Sequence, residues 1–142
     1  MVPNSTLTFS SESVTTSAGT TYTSVGPVAQ FSTLYNEGSN LGALAGTYDF
    51  NATGGAPLNL DSAGNMTYPT DASGCSASGT LAILDSNHAV YGITSITFTN
   101  CGALSGSGYT GFAGLDDTVS PAVLHLFFQG NSVLAHLLFI RQ

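Results

Sequence analysis

Positive charge is almost absent from this sequence of 142 residues, since it contains no lysine and a single arginine, Arg141, against eight carboxylates. A nucleic-acid-binding protein needs several cations to displace the counterions of the phosphates, so the composition excludes nucleic acid as a partner. The same shortage excludes a polybasic site for membrane surfaces. Charged residues make up only 6% of the chain, against about 25% in ordinary domains.

Long apolar runs are also lacking. The most apolar stretch, residues 119–140, is interrupted by Gln129-Gly130-Asn131-Ser132, whereas a transmembrane helix needs roughly 18 consecutive apolar residues. We therefore expect no membrane span. Residues 1–4 contain neither the basic nor the apolar region of a signal peptide. If the protein is exported, we expect its signal segment to be absent from this sequence.

Apolar residues form 42% of the chain and the mean hydropathy is +0.23, values that favour a folded core over disorder. The length predicts one domain. We assign it to residues 25–142 and read residues 1–24, which contain thirteen serines and threonines, as a Ser/Thr-rich arm or edge segment. Between Pro27 and Gly38, apolar residues recur at helical spacing and predict a short helix over 27–36. Residues 36–45 are expected to form a loop.

From residue 46 onward, short β-favouring runs alternate with turn residues, a pattern typical of an all-β meander. The connections are too short for parallel crossovers, so the sheet is expected to be antiparallel. Eight strands are predicted: Gly46–Asn51, Pro57–Leu60, Met66–Pro69, Ser78–Leu84, Ala89–Thr99, Gly108–Leu115, Ala122–Gln129 and Ser132–Arg141.

The last two predicted strands carry apolar residues on both faces, which would make them aggregation-prone as exposed edges. A closed barrel removes edges altogether, and a two-sheet sandwich protects them in part. The sequence leaves both architectures open.

The two cysteines, Cys75 and Cys101, are expected to form a disulfide, because an even count in an acidic, lysine-free chain is typical of exported proteins. They flank a predicted hairpin in which Leu84 pairs with Ala89. That register places both cysteines near the open end of the hairpin, where a bulge or a loop bend would join them. We expect the protein to lie in the periplasm, in the outer membrane or at the cell surface.

Residues 44–115 resemble a loose class of small exported Gram-negative proteins, namely lipoproteins and immunogenic envelope antigens without assigned activity. The resemblance covers about half of the chain, and it implies a compartment but no chemistry. The residues that carry it are Leu44-Ala45-Gly46-Thr47-Tyr48, a hairpin around Asp61–Asn65, Gly74-Cys75, Ser78-Gly79, Tyr91, Cys101 and Gly108-Tyr109-Thr110-Gly111.

A second resemblance is to lipocalin-type barrels, which open with Gly-x-Trp and place an arginine near the last strand. Gly46-Thr47-Tyr48 and Arg141 occupy comparable places, with Tyr48 where that family has tryptophan. This resemblance implies a barrel that carries a small apolar ligand.

Catalytic patterns are weak. Gly102-Ala103-Leu104-Ser105-Gly106 differs from a nucleophile elbow in the position of its serine and lacks the strand-to-helix context. The adjacent carboxylates Asp116 and Asp117 would point to opposite sides of an extended chain. We therefore expect no enzymatic activity and no cofactor.

Two sets of side chains are weak candidates for binding. Gly130-Asn131 predicts a two-residue turn that would place His125 directly opposite His136 as a pair able to share a metal ion, although packing without a metal is favoured. The tyrosines could line a ligand groove on one sheet face, although core packing is favoured: Tyr48, Tyr68, Tyr91 and Tyr109.

These observations predict an exported, non-enzymatic envelope or surface protein that acts by binding or as a structural or antigenic component. Its partner would be a protein, a glycan or a small apolar ligand. The alternative is a β-barrel carrier of a small apolar ligand.

Overall fold

The structure is a computed structural model that describes residues 6–8, 12–15, 21–24, 28–30, 38–50 and 56–142. Four short strands precede residue 31, and they pair as β1 with β4 and β2 with β3. A single helical turn, α1, spans Leu41–Leu44. The bounds of the four strands are β1 Thr6–Thr8, β2 Glu12–Thr15, β3 Thr21–Ser24 and β4 Val28–Gln30.

The next eight strands form a closed antiparallel barrel in which each strand pairs with the next and the last returns to the first. The strands are β5 Gly46–Phe50, β6 Leu58–Leu60, β7 Asn65–Tyr68, β8 Ser76–Ile83, β9 Tyr91–Thr99, β10 Gly106–Asp116, β11 Val123–Gly130 and β12 Val133–Arg141. The closing seam between β12 and β5 contains three residue pairs, Phe139 with Phe50, Ile140 with Asp49 and Arg141 with Tyr48. The all-β, eight-stranded antiparallel prediction is confirmed, and the architecture is a barrel rather than a sandwich.

The short helix lies elsewhere than the sequence predicts. Residues 28–30, inside the predicted helix 27–36, form a strand, and the other residues of that segment lie outside the described ones. The helical turn Leu41–Leu44 occupies part of the expected loop, where the Asn40 side chain accepts a hydrogen bond from the Gly42 amide as an N-cap. Strands also occur within residues 1–24. The division of the chain at residue 25 stays a prediction.

The two ends of the barrel differ. One end, which we call the base, carries α1 and the connections 61–64, 84–90 and 117–122. The opposite end, the mouth, carries the connections 69–75, 100–105 and 131–132.

No helix among the described residues is long and apolar enough to cross a membrane.

Arg141 closes the base. Its guanidinium donates hydrogen bonds to the carbonyl oxygens of Ala43 (3.2 Å) and Ala45 (2.6 Å) and lies 5.8 Å from the ring centre of Tyr48. The Tyr48 hydroxyl, which is fully buried, in turn donates to the carbonyl of Leu44. The single arginine of the chain therefore joins the last strand, the first barrel strand and α1.

Candidate functional site

The barrel contains a cavity of about 500 Å³ at its mouth. This volume lies within the range of roughly 300–1,000 Å³ of small-molecule sites. Its wall is mainly apolar and comes from the inward faces of strands on both sides of the barrel. The apolar side chains that line it are Phe50, Leu58, Met66, Ala77, Phe98, Leu104, Leu137 and Phe139.

Among the described residues, polar side chains line the cavity at its rim, where Asp71, Ser73 and Asn100 are located with the Tyr68 hydroxyl. The Asp71 carboxylate organises this rim. Its Oδ1 accepts hydrogen bonds from the Ser73 amide (2.8 Å), the Ser73 hydroxyl (2.6 Å) and the Cys75 amide (3.0 Å). Its Oδ2 accepts one from the Tyr68 hydroxyl at 3.1 Å.

These contacts set the charge of the rim. The hydrogen bond from the Ser73 side chain, together with those from backbone amides, lowers the pKa of Asp71 below its ordinary value. Burial raises the pKa of Tyr68, and the hydrogen bond to Asp71 adds to this effect. At neutral pH the rim therefore presents an ionised carboxylate beside a neutral phenol.

The disulfide joins two connections of the mouth. Cys75 and Cys101 are bonded, with their Cα atoms 4.6 Å apart, and both line the cavity. The expected pairing of Leu84 with Ala89 is wrong in detail, because Ser76 pairs with Thr99 and a bulge after Thr80 shifts the register. The disulfide itself is confirmed, at the open end of the hairpin as the sequence predicts.

The four tyrosines do not share one groove. Three of them are buried in the barrel core, namely Tyr48, Tyr91 and Tyr109. Tyr48 and Tyr91 act at the base, where the Tyr91 hydroxyl bonds to the Asn40 backbone amide and carbonyl. Tyr109 packs edge-on against Phe128 at a centroid distance of 5.6 Å. Of the four, only Tyr68 lines the cavity.

The predicted register of the two histidines is wrong. The turn consists of Asn131 and Ser132, both with positive φ, rather than Gly130-Asn131. Consequently His125 faces Leu138 and His136 faces Phe127. A two-residue turn with positive φ at both positions is the type I′ geometry that suits the twist of a hairpin.

The two imidazoles nevertheless meet diagonally on the outer face of the barrel. His125 Nδ1 lies 3.2 Å from His136 Nε2, and the ring of His136 stacks on Phe127 at 3.9 Å. Burial lowers the pKa of His136, and repulsion from His125 adds to this. Among the described residues, no group of three His, Cys, Asp or Glu side chains is arranged for a metal. A metal ion shared by the two histidines stays the less favoured alternative to packing without a metal, and the ion would have to replace the hydrogen bond between the rings.

Around this pair, the outer face of β10, β11 and β12 exposes large apolar side chains. Phe112 is 57% exposed, Phe127 47% and Leu134 82%. Phe112 and Phe127 are direct partners across β10 and β11. We call this area the outer apolar face.

Asp71 is the site residue that sequence reasoning missed. It begins an Asp-x-x-Gly turn, Asp71 to Gly74, and the same pattern recurs from Asp61 to Gly64. In both turns the glycine has positive φ and donates its amide to the aspartate carbonyl. The repeat predicts two identical turns, but only the barrel topology shows that one lies at the mouth and the other at the base.

Comparison of this chain with protein-family models, with curated proteins and with solved structures gives no significant match.

Proposed function

We propose that this protein is an exported, non-enzymatic binding protein that holds a small apolar ligand in the mouth of its barrel. The observation that carries the proposal is the cavity of about 500 Å³ with an apolar wall and a polar rim. A concave apolar site with a few convergent polar groups is the usual form of a small-molecule site.

The asymmetry of the barrel supports this proposal. The base is filled by Leu44 and Tyr48, which are both fully buried, and is closed by Arg141. At the mouth, the rings of Phe98, Tyr109 and Phe128 pack together on one side. The cavity opens beside them, and the disulfide holds two of the connections together. A ligand would therefore enter and leave at the mouth while the base maintains the fold.

The chemistry of the lining supports a binding role rather than catalysis. The ionisable groups of the lining are Tyr68 and Asp71. The Asp71 carboxylate accepts hydrogen bonds from Ser73 and Cys75, which follow it in its own turn. The three histidines of the chain lie elsewhere, His88 in a connection of the base and His125 and His136 on the outer face. Among the described residues that line it, the cavity thus combines no general base with a nucleophile. Export is supported by the disulfide and by the lysine-free composition.

Binding of the neutral dye Nile red to protein purified without detergent tests the proposal. Two variants with the same substitution on the same strand are compared. Leu137→Trp places a bulky side chain in the cavity, whereas Leu134→Trp places it on the outer apolar face. Each variant then contains the single tryptophan of its chain. We expect saturable binding to the wild type and to Leu134→Trp, and much weaker binding to Leu137→Trp. Native mass spectrometry of the wild type should also show a retained lipid-sized adduct or uptake of added dye.

Equal binding by the two variants, with unchanged circular dichroism, would place the dye outside the cavity and contradict the proposal. If Leu137→Trp does not fold, the wild type still decides the matter. Absence of both dye binding and a retained adduct would refute a carrier.

A second candidate function is attachment to another envelope component through the outer apolar face. It is favoured by the exposure of Phe112, Phe127 and Leu134 on adjacent strands, since contiguous exposed apolar side chains mark interaction sites. A Phe112→Thr/Phe127→Thr variant should lose self-association or envelope binding but retain Nile red. Unchanged association would exclude this face.

A further inference from the structure

We propose that the ligand of the mouth cavity is a cationic amphiphile, with its alkyl chain in the cavity and an ammonium head group beside Asp71. This inference rests on the proposed function and names the ligand class of the same site. It is carried by the position of Asp71 at the rim, by the unequal use of its two oxygens, and by the absence of positive charge from the cavity lining.

The two oxygens of Asp71 differ in how many hydrogen bonds they accept. Oδ1 is surrounded by three donors, from Ser73 and Cys75. Oδ2 accepts a single hydrogen bond, from Tyr68, among the described residues. A carboxylate oxygen accepts about two hydrogen bonds, so Oδ2 retains capacity for a donor from the ligand. A cationic N–H donor such as an ammonium group forms a stronger hydrogen bond there than a neutral donor, because both partners are then charged.

Positive charge that would favour an anionic ligand is remote from the mouth. Arg141, the one arginine of this lysine-free chain, lies at the base and is bound to the carbonyls of Ala43 and Ala45. Asp71 is the only carboxylate among the described residues that line the cavity, and the formal net charge of the chain is −7. A fatty acid would therefore bring its carboxylate next to Asp71 without a cation to compensate, whereas an alkyl ammonium ion would gain a partner.

The apolar part of the ligand is matched by the wall beneath the rim. Leu58, Met66 and Ala77 are almost fully buried on the inner face of their strands and still line the cavity. They offer no hydrogen-bonding side chain, so a polar group placed at this depth would lose its water without replacement. The ligand therefore has one polar end, and that end lies at the rim.

The test compares decylamine, decanol and decanoate as competitors of Nile red at pH 7, below their aggregation concentrations. The three compounds share one alkyl chain and differ in the charge of the head group. We expect affinity to decrease from decylamine to decanol to decanoate. In Asp71→Asn, the affinity for decylamine divided by the affinity for decanoate should fall by about fivefold or more. The variant loses both the partly exposed charge pair with decylamine and the repulsion between Asp71 and decanoate.

Asp61→Asn is the matched control. It removes the same charge from the same type of turn at the base, where Asp61 accepts hydrogen bonds from Ala63 and Asn65. We expect it to leave the ratio unchanged. An equal fall in both variants would mean that net charge rather than Asp71 sets the preference, and would overturn the inference.

Two further outcomes separate the inference from the function on which it rests. Equal affinity for the three compounds, or preference for decanoate, would refute the cationic ligand and leave the cavity as a binding site. If neither Nile red nor any of the three compounds binds the wild type, the proposed function fails, and this inference fails with it.

Discussion

Replacement of Arg141 by methionine should destabilise the barrel from its base. The change keeps an unbranched apolar side chain but removes the hydrogen bonds to Ala43 and Ala45 and the charge over Tyr48. A hydrogen bond from a charged group contributes about 1.5–3 kcal/mol, and a cation–π contact at a partly exposed site about 0.5–1 kcal/mol. The bond to Ala43 is exposed to solvent and contributes little. We therefore expect the free energy of unfolding to fall by about 2–4 kcal/mol.

For a barrel of roughly 100 residues, that loss corresponds to a decrease in Tm of about 8–20 °C. Urea denaturation followed by circular dichroism measures it directly, and the m-value should not change. Gln142→Met is the control. The side-chain amide of Gln142 donates a hydrogen bond to the Asp49 carboxylate at the exposed surface, and loss of this bond should lower the free energy of unfolding by less than about 0.5 kcal/mol.

Arg141→Lys separates charge from geometry. Lysine keeps the positive charge but lacks the planar fork that reaches two carbonyls at once, so its stability should lie between that of methionine and that of the wild type. Two results would refute the proposed role of Arg141 in closing the base. One is a free energy of unfolding of Arg141→Met within about 0.5 kcal/mol of the wild-type value, and the other is full wild-type stability of Arg141→Lys.

Three further perturbations address other parts of the fold. Reduction of the disulfide between Cys75 and Cys101, which closes 26 residues, should lower the free energy of unfolding by about 3.5 kcal/mol by loop entropy; titration of two free thiols in denatured, unreduced protein would contradict the bond. Molar sodium chloride should leave Tm nearly unchanged, because a chain with one guanidinium has no network of ion pairs to screen; a decrease of many degrees would contradict this. The pKa values of Asp61, Asp71 and Asp85 are lowered by hydrogen bonds within their turns. Their contribution to stability is therefore present above the unfolded pKa of about 3.9 and is lost as the pH falls further; a urea midpoint that stays constant from pH 5 to pH 2.5 would contradict it.

The barrel strands could be predicted from sequence because their signals are local. Turn residues such as Asp61, Gly64 and Asn65 separate alternating apolar runs, and their hydrogen bonds in the structure are the ones that these residue types form in isolated turns. The choice between barrel and sandwich depends instead on whether β12 meets β5. That contact joins residues about 90 positions apart, such as Arg141 with Tyr48, and no local pattern encodes it.

The errors have physical explanations as well. The helical spacing around residue 28 was outweighed by pairing of Val28–Gln30 with Thr6–Thr8, an interaction that a propensity argument does not include. The histidine register failed because glycine is the usual residue at positive φ, whereas here Asn131 and Ser132 adopt it. The position of the cavity could not be predicted from the sequence. A cavity remains where the inward side chains of non-neighbouring strands do not contact one another, and these contacts depend on the whole barrel.

The base gathers both chain ends of the barrel, and this determines how the molecule can be tethered. The amide of Gln142 donates to the carbonyl of Thr47 at 2.9 Å, and Ser39 bonds to the base connection at Ser86. A linker attached at Gln142 would therefore leave from the side opposite the mouth. Fixed to a surface through Gln142, the barrel would turn its cavity toward the surrounding solution, where a ligand could reach it without rearrangement of the attachment.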